Sequence, residues 1–252
     1  MKNTMKEKLL AGKSVLGVSV MIPSPQIVEM FGHLGFDWVL IDCEHGTISL
    51  ETVELMIMAA EVSGITPIVR PRDNSTQEIM RVMDRGAKGV QVPHVITAQD
   101  AKRVVEAVKF YPLGKRGLAK GTRPAGYGFD LSMQEYVKKD NQETLVCIQL
   151  EDKEAIDNVE EILQVEEIDV FFIGPSDLSQ SMGYPGQKDA PEVQKAIWDT
   201  LKAIKSAGKI SGSTGSYKDI QTYLEQGVQY IYTHLPTLLK NGSQEFLNKF
   251  KS

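Results

Sequence analysis

The amino-acid sequence predicts a single (β/α)₈ barrel domain of the TIM type over residues 1–252, on three observations. Short β-rich runs alternate with longer helix-period segments from end to end. Most of those runs are continuously apolar, as strands are when helices cover both faces of a parallel sheet. Eight β/α units fill the chain, close to the ~250 residues that such a barrel uses. A doubly wound sheet would carry a glycine fingerprint after its first strand, but Val20 leads into Met21-Ile22-Pro23-Ser24-Pro25. Neither G-x-G-x-x-G nor a P-loop occurs anywhere.

Taken in order, the first strand spans Val15–Val20 and feeds a helix over Pro25–Leu34, with proline at its start where a missing N–H costs nothing. Phe36–Asp42 is the second strand, followed by a helix over Leu50–Ser63 that Gly64 can end in a left-handed cap. The third unit is Ile65–Arg70 with Ser75–Arg85, and the fourth is Gly89–Pro93 with Ala98–Phe110. A long connection, 111–130, holds five of the 21 glycines and leads into a short helical stretch; loops of this length in a compact barrel are usually functional. Thr144–Glu151 and Lys153–Gln164 form the fifth unit, and Asp169–Ile173 is the sixth strand, with its helix over Pro191–Ala207. Lys209–Gly212 precedes Tyr217–Gln226, and Val228–Tyr232 precedes a last helix near Pro236–Phe250.

Composition removes several function classes. Lys and Arg total 28 against 33 Asp and Glu, a net charge of −5, and no concentrated basic face is available for nucleic acid or an anionic membrane. No apolar stretch approaches the ~20 residues of a membrane span, and the Lys-interrupted N-terminus lacks a signal-peptide core. Cys43 and Cys147 each lie within an apolar run and match no disulfide framework or zinc spacing. A reducing, cytoplasmic location is therefore expected.

In a barrel, polar residues at the C-terminal ends of strands line the mouth where sites are built. Here those ends read Asp42-Cys43-Glu44-His45-Gly46, Arg70-Pro71, Gln149-Leu150-Glu151 and Gly174-Pro175-Ser176-Asp177. Singly, each position has a structural alternative as a helix cap or ion pair. Together they would be a costly cluster of partly buried charge if they had no ligand. Glu151 and Asp177 supply two carboxylates suited to Mg²⁺ or Mn²⁺, with Co²⁺ a further candidate. Gln149 lies two residues before Glu151 and shares its face. Arg70 offers a planar fork for a carboxylate. His45 is of a type that titrates near neutrality, and Asp42 is near enough in sequence to orient it. Metal, anion clamp and base are what enolate chemistry on an α-keto acid requires. A Schiff-base route needs an inner lysine, whereas Lys209 falls at the bottom rim, Lys120 in a loop and Lys153 in a helix.

These motifs, with Phe36-Asp37-Trp38, Met83-Asp84-Arg85-Gly86-Ala87 and Phe172-Ile173-Gly174-Pro175-Ser176-Asp177-Leu178-Ser179, resemble the HpcH/HpaI family of class II, metal-dependent pyruvate aldolases. The resemblance covers about residues 5–250 and keeps motif order and spacing. It implies a hexamer, a trimer of dimers, whose last helix is exchanged between subunits. It also implies that His45 is the base acting through a metal-bound water, that Arg70 stabilises developing charge and that Glu151 and Asp177 hold the metal. Gln149, Ser176, Asp177 and Arg70 would bind pyruvate. Asp84 matches an acid that raises the basicity of the histidine. Because Asp84 precedes the fourth strand, at the barrel bottom, it should serve a neighbouring chain's His45; its alternative is a helix-end acid paired with Arg85 or Lys88.

The chain departs from the family after its last two strands. Gly212–Ser216 replaces an apolar turn and reads as a flexible loop with a Ser or Thr cap, or as an anion cradle. Thr233-His234-Leu235 replaces a small residue and an acid, and His234 reads as a loop histidine. His94 could touch substrate, Arg123 could attract an anionic aldehyde or stay exposed, and His33, Met56–Met58 and Phe171-Phe172 read as structural. The predicted activity is reversible cleavage of a 4-hydroxy-2-oxo acid to pyruvate and an aldehyde. The alternatives are another metal-enolate reaction, such as oxaloacetate decarboxylation, or a non-catalytic barrel that binds an α-keto acid.

Overall fold

Each of the eight runs expected as strands forms one, and the eight strands close on themselves. The computed structural model describes residues 2–251. Its strands are β1 (Val15–Val20), β2 (Trp38–Asp42), β3 (Thr66–Arg70), β4 (Gly89–Val92), β5 (Leu145–Leu150), β6 (Val170–Ile173), β7 (Ile210–Thr214) and β8 (Tyr230–His234). All neighbours are parallel, in the order β1 to β8, and β8 pairs back onto β1 through Val15↔Tyr230 to Ser19↔His234. The helices are α1 (Thr4–Leu10), α2 (Pro25–His33), α3 (Leu50–Ser63), α4 (Thr76–Met83), α5 (Ala98–Val108), α6 (Met133–Glu143), α7 (Lys153–Asp157), α8 (Val159–Ile162), α9 (Pro175–Ser181), α10 (Pro191–Ser206), α11 (Tyr217–Gln226) and α12 (Leu235–Lys251). Among the described residues, no helix is long and apolar enough to cross a membrane.

Strand alternation divides the apolar residues into two layers. Val39, Ile41, Val69, Ile148 and Phe171 face the helices, while Trp38, Leu40, Ile68, Cys147 and Phe172 fill the barrel interior. That interior is aromatic at the β8 side: Trp38 stacks on Tyr230 with centroids 4.0 Å apart, and Phe172 on Tyr232 at 5.1 Å. Gly17 makes room for this, since a Cβ there would lie 2.3 Å from the Trp38 ring. Helix α1, for which the sequence pattern predicts no element, adds Met5 and Leu9 to the same interior cluster and anchors itself by Asn3 hydrogen bonds to the Lys88 and Glu143 carbonyls. It therefore plugs the N-terminal end and leaves the C-terminal mouth as the open end.

Several expected elements shift. β7 and β8 each run two residues further toward the mouth than predicted, so Gly212–Thr214 is strand rather than loop. Polar Thr214 and Thr233 hide these ends from an apolar-run criterion. The expected 153–164 helix is broken at Asn158, whose side chain instead holds the Ile96 carbonyl at 3.0 Å. A short helix, α9, begins directly after β6. The long connection is pinned by Arg116, whose fully buried side chain bridges Asp84 at 2.8 Å and Asp140 at 3.0 Å over the Phe110 ring. Asp84 thus pairs with Arg116 rather than with Arg85 or Lys88, which reach Glu54 and Glu61. Arg123 starts a 3₁₀ turn, Arg123–Gly128, and is tied to Glu61 instead of standing free.

Candidate active site

A cavity of about 300 Å³ opens at the C-terminal mouth. His45, Arg70, Gln149, Glu151, Ser176 and Asp177 all line it, so six sequence-named residues from four strand ends do converge. Asp42 supports the site from below, while Asp84 lies outside it. The further wall is built by Met21, Phe172, Thr214, Tyr232 and His234, positions that sequence pattern assigns to core or loop or leaves unmarked.

Register brings the charges together. Asp42 and Arg70 are Cα partners on β2 and β3, so their side chains emerge side by side. The Asp42 carboxylate accepts from Arg70 Nε at 2.9 Å and Nη2 at 2.5 Å, and from the backbone N–H groups of Glu44 (3.1 Å) and His45 (3.3 Å). The expectation that Asp42 orients the His45 ring is therefore corrected: its oxygens face the guanidinium and two amides, and it fixes the turn that carries His45. The ring's acidic neighbour is Glu44, 3.7 Å from Nε2. Glu44 also meets Arg70 Nη1 at 3.0 Å and His94 Nε2 at 3.5 Å. The motif places Glu44 beside His45, but chain spacing alone does not show that one carboxylate faces three basic side chains. Burial raises the Glu44 carboxyl pKa, with Arg70 opposing it.

Glu151 is only 1 % exposed. It accepts from the Gln149 amide at 2.5 Å and from the His94 backbone N–H at 3.0 Å. Gln149 in turn accepts from Gln91 at 2.5 Å and reaches Arg70 at 3.5 Å, linking the carboxylate to the anion clamp. Gly174 permits the arrangement, because a Cβ there would stand 2.5 Å from Glu151 Oε2. Burial pushes the Glu151 carboxyl up to about 7, with Asp177 and Glu44 adding to the rise and the His94 N–H opposing it. His94 takes a positive φ of 52° and leans on Asp152 at 3.0 Å; its pKa is raised by that contact and by Glu151, against burial.

The donor set fits a hard divalent cation. Glu151, a nearly dry carboxylate, faces the same cavity as Asp177, which sits in the first turn of α9. Among the described residues no group of three or more His, Cys, Asp and Glu could hold a metal ion. Two carboxylates alone would leave positions for water and substrate, as Mg²⁺ sites do. His234, expected in a loop, ends β8 and lines the cavity. The anion-cradle reading of Gly212–Ser216 does not hold, because the Ser216 N–H and hydroxyl both bind Asp219 at 2.8 Å in a capping box.

Known proteins share this framework. The profile of the HpcH/HpaI aldolase/citrate lyase family matches residues 17–233. The chain is 34 % identical to 2-keto-3-deoxy-L-rhamnonate aldolase of Escherichia coli strain K12 over 100 % of its own length and 94 % of that protein's. Among solved structures, it superposes with TM-score 0.93 on an HpcH/HpaI aldolase/citrate lyase family protein from Burkholderia cenocepacia J2315, at 27 % identity over 99 % of this chain and 100 % of that one. The citrate synthase SbnG gives TM-score 0.87 at 30 % identity, covering 98 % of this chain and 96 % of that one.

Proposed function

The chain belongs to the HpcH/HpaI aldolase/citrate lyase family, and from that membership and the mouth's geometry we propose that it is a class II pyruvate aldolase. It would cleave a 4-hydroxy-2-oxo acid reversibly to pyruvate and an aldehyde. The observation that carries this reading is the convergence of His45, Arg70, Glu151 and Asp177 on one cavity. A binding module needs an anion clamp but has no use for a base.

Glu151 and Asp177 would hold a divalent cation, which when bound supplies Lewis-acid polarisation of the 2-oxo group. The remaining work falls to the chain's own groups. Arg70, held rigid by Asp42 and Glu44, presents its fork to the substrate carboxylate and the developing enolate charge. Gln149 and Ser176 border the pyruvate moiety. His45, with a side chain 54 % exposed at the rim, takes the proton from the C4 hydroxyl. The C3–C4 bond then breaks, the aldehyde leaves and the pyruvate enolate is protonated at C3. Glu44, beside the His45 ring, steadies the imidazolium that forms.

The oligomeric expectation belongs to the same reading. Exchange of α12 between subunits is supported by its exposed Leu239, Phe246 and Leu247. Asp84 would then act on a neighbouring subunit's His45, with Arg116 holding it in place. In the test, His45→Ala is expected to lower the cleavage rate by roughly 10²–10⁴. Chelation should abolish turnover, and full activity in both conditions would overturn the assignment.

A further inference from the structure

Beside the catalytic cavity lies a second, smaller one of about 160 Å³ that shares Pro175, Ser176, Thr214 and His234 with it. Its remaining wall carries Lys188, Thr233 and Thr237, so the passage leading away from the enolate site is lined by hydroxyls. At the junction, His234 Nδ1 is buried without a hydrogen-bond partner, and its ring stands edge-on to Tyr232 at 5.4 Å. Burial and the nearby Arg70 charge lower the His234 pKa, which favours the neutral ring. Of its two nitrogens, one then donates and the other accepts. A hydroxyl, which gives and takes, fits either tautomer, as it fits the threonines. A carboxylate suits the passage poorly: its lysine, Lys188, already faces Asp219 at 3.8 Å.

We propose that His234 and the adjoining hydroxyl-lined cavity form the acceptor subsite, and that they select a hydroxylated aldehyde over its deoxy counterpart and over an anionic one. The inference rests on the aldolase reading of the same mouth. In that reading pyruvate occupies the Arg70–Gln149–Glu151 side, and the carbon skeleton beyond C4 extends toward β7 and β8.

The experiment measures aldol addition of pyruvate to glycolaldehyde, acetaldehyde and glyoxylate in the presence of Mg²⁺. Exchange of pyruvate C3 hydrogens in D₂O, which needs no aldehyde, is followed in parallel. Wild-type protein is expected to prefer glycolaldehyde to acetaldehyde in kcat/KM by about tenfold or more. His234→Phe should narrow that ratio to about twofold, while His234→Gln, which still donates and accepts, retains most of it. Thr214→Val should erode the same ratio, and it provides the test if the Phe variant does not fold. Exchange without any hydroxyl preference, a ratio untouched in His234→Phe, or a preference for glyoxylate would each overturn the subsite. Absence of exchange in the wild type would instead overturn the enolate reading on which it rests.

Discussion

Gly174 and Asp42 show at single-residue scale how the mouth is held. Gly174→Ala would push a methyl against the Glu151 carboxylate, 2.5 Å from Oε2. The expected result is a 10–100-fold loss of Mg²⁺ affinity by titration calorimetry, about what removal of a supporting contact costs a ligand; an unchanged Kd would contradict Glu151 as a ligand. Asp42→Ala would leave Arg70, 5 % exposed, without its closest counter-charge. Breaking a buried pair from one side costs about 3–5 kcal/mol, read as a lowered urea midpoint, and a loss below 1 kcal/mol would show that Glu44 alone satisfies the guanidinium. Arg70, Gln149 and Glu151 were legible because a charged or amide group that ends an apolar barrel strand is carried to the mouth by the strand itself, and Asp177 because it lies in the first helical turn after such a strand. The partners were not. Asp42 lies three residues from His45 in the chain but beside Arg70 across the sheet, and strand register, set by barrel closure, decided between them. Glu44 was hidden because its three basic neighbours come from three separate loops and strands.

At the scale of elements, strand identity was plain and strand ends were not. The Val15–Val20 strand and the Leu50–Ser63 and Tyr217–Gln226 helices fall where periodicity and caps placed them. β7 and β8 ran on because Thr214 and Thr233 keep extended backbone with polar side chains, which moved His234 from loop to wall. Helix α1 was missed for the opposite reason: seven residues with alternating lysines carry little helical signal. Its stability comes from packing Met5 and Leu9 under the barrel. Leu9→Ala, at 2 % exposure, should therefore cost about 2–5 kcal/mol of unfolding free energy. A change under 1 kcal/mol would mean that the plug contributes little to closure.

Across the whole molecule, a closed sheet gathers Asp42 and Glu44 against the Arg70 guanidinium and sets Glu151 and Asp177 on the same cavity, and such a mouth is expected to be sensitive to pH and cations. The Glu151 carboxyl is raised from 4.5 to about 7 in the folded state, so folding favours its protonated form. Its contribution is fully present below pH 4.5 and is lost as pH rises through about 7. In EDTA the melting temperature should fall across that window more steeply for wild type than for Glu151→Gln, and Mg²⁺ at about pH 8, above the raised pKa, should restore it for wild type alone. Parallel curves for the two proteins would contradict the buried-carboxylate account. The central claim is tested most directly by pyruvate release from a panel of 4-hydroxy-2-oxo acids, with oxaloacetate alongside. Each would be assayed in EDTA and again with Mg²⁺, Mn²⁺ or Co²⁺ restored. The account predicts cleavage of at least one hydroxy acid that stops in EDTA and returns with the cation. Turnover that persists in EDTA, or silence toward every hydroxy acid with metal present, would contradict it.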